Sequence, residues 1–256
     1  MIATFAQPDC APMRADGLGA ALEWIAYFEQ NAVSLLDVPW ELDLALTADE
    51  RAAVLPSLRE FQQGEALEGG HFFRCVRRYA ERIGDPDYIE AHRLFMAEEQ
   101  RHGRDLAAYM ERAGVTLLAE RSLSNRLFCW CGSLGGLELT LTIIVCVEAV
   151  AQGYYRAIRD ATGCPLLRRL CTQILRDEHN HIRFHCERLR LMRRDRARWR
   201  LALSRAFDRL LSYLAILVCW WGHAPAIRAG GYSFRRFARE VQTRFRRARF
   251  PDSRNS

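Results

Sequence analysis

Apolar residues recur at intervals of three and four along most of the chain, and no convincing run alternates in twos. The first amphipathic stretch covers about 18–34. Thr47 and Glu50 have the spacing of a capping box, and a longer helix is expected from about Pro56 to Ile83. Gly84, Asp85 and Pro86 stop that helix and begin another, which ends near Gly114. A third helix runs from about 134 to 161. Gly163, Cys164 and Pro165 repeat the stop-and-start signal, and a fourth helix follows to about 190. The chain therefore reads as all-α, with a helical N-terminal extension (1–55), a core of four helices (56–190) and a C-terminal helical region (191–256) packed on that core. Two segments are apolar enough to raise a membrane span. Residues 134–155 carry Glu138 and Glu148 and read as a buried helix. Residues 210–221 are short for a span and read either as core or as a face turned to a partner.

The pattern is broken where charge enters an apolar stripe. In FMAEEQRHGRDL (95–106) the inward positions are Phe95, Glu99, His102 and Leu106, so a carboxylate and an imidazole point at the core one turn apart. The same break recurs 79 residues on. Gly84-x-Pro86 to Glu99-x-x-His102 is matched by Gly163-x-Pro165 to Glu178-x-x-His181. Upstream of each turn, EALEGGHFFR (65–74) pairs with EAVAQGYYR (148–156), the first copy having one extra residue. Each hairpin thus offers a Glu from its first helix and Glu-x-x-His from its second. A buried carboxylate loses its hydration, and several converging carboxylates repel one another. Two divalent cations would offset that charge. Mixed carboxylate and imidazole donors suit iron or manganese, whereas structural zinc usually recruits thiolates.

Over residues 56–190 these motifs resemble the ferritin-like di-iron superfamily, whose fold is an antiparallel four-helix bundle with this donor pattern. The nearest local resemblance is to the soluble acyl-carrier-protein desaturases and related di-iron oxygenases, in AEEQRHGRDL and DEHNH. The resemblance implies two Fe, or Mn, held by Glu65, Glu99, His102, Glu148, Glu178 and His181. Glu68 also falls on the inward stripe. Helical phase favours Glu65 and level along the hairpin favours Glu68, so both stay candidates. The resemblance also implies dioxygen as co-substrate, an electron donor, a small organic or carrier-bound substrate, and a homo-oligomer.

Other residues refine the expectation. Glu98 and Asp177, directly before the ligand glutamates, are placed to accept the second N–H of a ligand histidine, and Glu98 reads equally as a solvated flank. Arg101 reads as their counter-charge or as surface. His71 reads as a neighbour of the site or as surface, and His185 as a pocket-lining or packed residue. Desaturase-like members often place a threonine one turn beyond the helix-three glutamate. Here Ala151 and Gln152 stand there, leaving Gln152 as the polar group assigned to the pocket. Leu106 replaces the radical tyrosine of the ribonucleotide reductase small subunit, and Ile174 replaces the added histidine of N-oxygenases.

Composition changes the picture little. All 37 basic residues are arginine, and net charge is +6, concentrated in 188–200 and 235–250. Aromatics alternate with arginine in FRRFAREVQTRFRRARF, which fits a solvated helix face, an acidic carrier protein, or an anionic surface. Nine scattered cysteines without a CxxC indicate reduced thiols, and the N-terminus lacks a basic-then-apolar leader, so a cytoplasmic protein is expected. The functional expectation is a di-iron oxidoreductase acting on an organic substrate. Its alternative is iron oxidation and storage without one.

Overall fold

The computed structural model describes residues 19–66, 69–120 and 122–249, and among them there is helix but no strand. The helices are α1 (Gly19–Val33), α2 (Ala48–Glu65), α3 (Gly70–Ile83), α4 (Asp87–Arg112), α5 (Leu123–Ser133), α6 (Leu137–Ala161), α7 (Pro165–Arg193), α8 (Arg198–Ala229) and α9 (Phe234–Arg249). The Thr47–Glu50 capping box forms, each side chain bonding the other residue's backbone N–H. Gly84 ends α3 in the left-handed region, at φ 70°, where a side chain would be strained.

The single helix expected from Pro56 to Ile83 is corrected to two. α2 starts at the capping box, eight residues before Pro56, and keeps that proline inside it at the loss of one backbone bond. α2 then ends at Glu65, and Gly69, at φ 58°, opens α3. The extra residue of the first repeat falls across this break. Glu68 lies outside the described residues.

α6 is the central element. Its inner faces carry seventeen buried residues, and it packs against α7, α8 and α9. α6 and α8 are both long and apolar enough to cross a membrane by composition, but most of the apolar window of α6 is buried inside the protein. α4 lies against α1, α2, α3 and α7. Two close approaches set the spacing. A Cβ on Gly103 of α4 would stand 3.0 Å from the backbone nitrogen of Ala66, so the end of α2 rests directly on α4. A Cβ on Gly153 of α6 would meet Val241 at 2.7 Å. α9 reaches α6 through that gap, burying Phe237, Val241 and Phe245. Phe237 and Phe245 of the basic C-terminal pattern therefore serve packing, and α9 is an integral layer. α5 has no counterpart in the sequence-based expectation.

Candidate metal centre

Every residue assigned as a ligand by motif sits in one buried cluster. Glu65 comes from the last residue of α2, Glu99 and His102 from α4, Glu148 from α6, and Glu178 and His181 from α7. Their donor atoms form two groups, each with all atoms within 4.8 Å of one another: Glu65, Glu99, His102 and Glu178, and Glu99, Glu148, Glu178 and His181. Glu99 and Glu178 belong to both. Five of the six residues are buried, and the Glu99 side chain is 15% exposed.

Both imidazoles turn the same atom inward. His102 Nδ1 stands 3.9 Å from Glu65, 4.0 Å from Glu99 and 3.8 Å from Glu178. His181 Nδ1 stands 2.8 Å from Glu99, 4.0 Å from Glu148 and 3.8 Å from Glu178. Most of these separations are too long for hydrogen bonds. They match donors sharing one cation, which at bonds of about 2.1 Å stand roughly 3–4 Å apart. Nδ1 of His102 and both oxygens of Glu178 are buried without a hydrogen-bond partner, while Nδ1 of His181 and Oε1 of Glu99 have only each other. Orphaned buried polar atoms are rare and costly, and three converging on one cluster call for a ligand. The residues present therefore fit a metal, and the cluster can hold a metal ion.

The electrostatics agree. Burial, then the Glu99 charge, pushes Glu65 up to about 8. Burial and the charges of Glu178 and Glu99 hold Glu148 well above the usual carboxylate range. Burial works against a proton on His102, but the hydrogen bond to Asp177 prevails and raises it to about 10. His181 is raised likewise, with Glu99 the largest cause opposing burial. Without cations the cluster retains protons in their place, so metal uptake must displace them.

A layer of fixed partners surrounds the donors, and it is crossed between helices. His102 on α4 meets Asp177 of α7 through Nε2 at 3.0 Å, and His181 on α7 meets Glu98 of α4 through Nε2 at 2.9 Å. With a carboxylate accepting at Nε2, Nδ1 is left as the donor lone pair toward the centre. Asp177 is further bonded by Arg101 at 2.5 Å and by Gln173 at 2.9 Å. Asn31 of α1 donates to both carboxylates, to Glu98 at 2.6 Å and to Asp177 at 2.9 Å. The Tyr155 hydroxyl donates to Glu65 at 2.6 Å. Glu98, Asp177 and Arg101 thus occupy the supporting positions expected of them.

Other assignments land differently. Gln152 is buried one turn past Glu148, outside both donor groups, with its carbonyl 3.5 Å from Arg244 of α9. His71 is half-buried and lies 3.3 Å from the Cys75 sulfur, away from the donors. His185 is fully buried with neither ring nitrogen bonded, packed edge-on against Phe95 at 4.6 Å between centroids. His92 shares that character, 4.2 Å from Phe72, and the sequence reading missed it. The signal existed, since His92 extends the Phe95–Glu99–His102 stripe by one turn. Asn31 carried no comparable signal. Ser57 also escaped notice; its hydroxyl joins Tyr154 and the His223 ring nitrogen, each at 2.9 Å, tying α2, α6 and α8 together.

Comparison with known proteins gives no assignment: no family model, no curated protein and no solved structure matches this chain.

Proposed function

We propose that the chain is a ferritin-like di-iron oxidoreductase that uses dioxygen to oxidise an organic substrate. The observation that supports this most is the sharing of Glu99 and Glu178 between two otherwise separate donor groups. Glu65 and His102 would complete one metal position, and Glu148 and His181 the other. Iron is the favoured occupant, with manganese compatible with the same donors. A pair of ferrous irons held there by these residues would supply two electrons toward reducing dioxygen, with an external electron donor restoring them between turnovers.

The protein's own groups set the stage. Asp177 and Glu98 fix the tautomer and ring plane of the two histidines, and Asn31 fixes those carboxylates relative to each other. Tyr155 holds the Glu65 oxygen that faces away from His102. Phe28 and Phe95 pack against the His181 ring, at 6.2 and 4.8 Å between centroids, and exclude water from that side. Gln152 offers an amide at the next turn of α6, suited to orienting a polar group of the substrate.

The test is anaerobic loading with Fe(II), metal counting, and optical spectra on exposure to oxygen. The wild type should hold close to two irons per chain, and Glu148→Ala or His181→Ala should lower that count. Unchanged metal content in both variants would overturn the site. Continued uptake of ferric iron far beyond the donor set would assign the protein to storage instead.

A further inference from the structure

α8 presents two unlike faces. Asp208, Ser212, Ile216, Cys219 and His223 are buried against the rest of the protein, and the polar ones are paired there. Asp208 bonds Arg193 at 2.7 Å, Ser212 bonds Gln242 at 2.7 Å, and His223 bonds Ser57 at 2.9 Å. On the opposite face Leu203, Phe207, Leu210, Leu214, Leu217 and Trp221 follow one another at intervals of four and three. Each is at least 45% exposed and Trp221 is 85% exposed. With Trp199, 61% exposed, the stripe has an indole at each end and is about 33 Å long at 1.5 Å per residue. A bare apolar face of this extent marks an interaction surface.

The charge exposed on α8 itself is of one sign. The exposed ionisable residues of α8 are Arg198, Arg200, Arg205, Arg209 and Arg228, and its one acid, Asp208, is turned inward. Beside the N-terminal half of the stripe lies an open groove of about 720 Å³, whose walls include Leu203 and Phe207. The groove is also lined by Leu137, Cys75 and Met192, by Arg78 and Arg82, one turn apart on α3, and by Glu138, whose charge is met by Arg193 and Arg196. Neither Arg78 nor Arg82 has a carboxylate within salt-bridge reach among the described residues.

We infer that α8 and the adjoining groove seat the protein on an anionic phospholipid bilayer. Acyl chains cover the leucine stripe, and a headgroup phosphate is held between Arg78 and Arg82. An apolar helix face ended by tryptophan, with Arg200 and Arg228 near its two ends and Arg78 and Arg82 across the adjoining groove, is the pattern of a helix lying in the interface plane. The paired polar face excludes a span, because α8 could not enter a bilayer without stripping Asp208, Ser212 and His223 from their partners. A second copy of this chain fits less well, since it would bring arginine to arginine with no exposed α8 carboxylate to meet them.

The experiment is co-sedimentation of the full chain with vesicles of phosphatidylcholine alone, and of phosphatidylcholine mixed with phosphatidylglycerol. Binding is expected to the mixed vesicles only, and to fall with added salt. Leu214→Glu/Leu217→Glu should lower partitioning at least about tenfold through loss of apolar contact. Arg78→Glu/Arg82→Glu should lower it about tenfold through charge reversal at the surface. All four positions are exposed, so thermal melts should match the wild type and certify folding. Absence of binding to mixed vesicles, equal binding to both kinds, or indifference to the arginine pair would overturn the inference. So would a lipid-free dimer, seen by sedimentation equilibrium, that Leu214→Glu dissociates.

Discussion

Asp177→Asn is the substitution that bears most directly on how the centre is held. Asp177 is fully buried and accepts hydrogen bonds from His102, Arg101, Gln173 and Asn31. An amide has the same shape but turns one acceptor into a donor, so at least one of those four contacts becomes donor against donor. His102 loses the anion behind its ring, and its Nδ1 becomes a poorer base. Loss of such a supporting carboxylate lowers metal affinity about 10- to 100-fold, or about 1.4–2.7 kcal/mol. Arg101 keeps 13% exposure, so water partly replaces its lost partner, and folding should weaken by only about 1–3 kcal/mol. The assay is competitive titration of Fe(II) against a chromophoric chelator. Because Asp177 acts through His102 and not through His181, a double-mutant cycle locates the effect. Asp177→Asn and His102→Ala should be strongly non-additive, whereas Asp177→Asn and His181→Ala should add to within about 0.5 kcal/mol. Wild-type affinity in Asp177→Asn, or coupling to His181 in place of His102, would refute the crossed arrangement.

Gly103→Ala should gain about 1 kcal/mol of helix propensity and lose about 1–3 kcal/mol to the clash with the Ala66 backbone; displaced Glu65 should then cost one of the two metals, which metal analysis would show. Glu65→Gln should weaken one metal and abolish oxygen-dependent chemistry, while Glu68→Gln keeps two metals bound; the reverse pattern would move the ligand role to Glu68. Burial lowers His92 to about 3, so the folded protein resists its protonation while the unfolded chain takes a proton below about 6.5. Its neutral state therefore contributes no penalty above pH 6.5, and stability falls as pH drops below that. Relative to wild type, His92→Phe should gain stability as pH falls from 6.5, with a slope rising from about 0.7 to about 1.3 kcal/mol per pH unit by pH 5 in chelator-treated protein, read from urea melts; parallel pH profiles would disprove the assignment.

Much of the centre was legible because its chemistry conflicts with its pattern. Carboxylates at inward helical positions are anomalies that periodicity exposes, and their recurrence 79 residues on made them a set. Glu98 and Asp177 were legible for the same reason, being neighbours of anomalies. What escaped detection depends on tertiary placement. Asn31 lies on an amphipathic helix whose pattern gives one exposed-looking polar residue no distinction from another. The break between α2 and α3 had its signal in Gly69 and Gly70, but an unbroken apolar stripe on both sides concealed it. Arginine alternating with aromatics in α9 describes equally a docking face and a helix packed on one side; the space left by Gly153 shows that one face is packed, and no local pattern contains that information.

The crossed support of the two histidines is also symmetric. Exchange the halves, α2–α3–α4 for α6–α7, and the contacts map onto themselves: the acid preceding each ligand glutamate meets the histidine of the other half. Two separate copies of one hairpin, related by a two-fold axis, would make the same contacts in trans. The centre thus has the contact pattern of a two-fold dimer of hairpins within one chain. Asn31 is the exception, because a single amide nitrogen serves both halves and has no counterpart under the exchange.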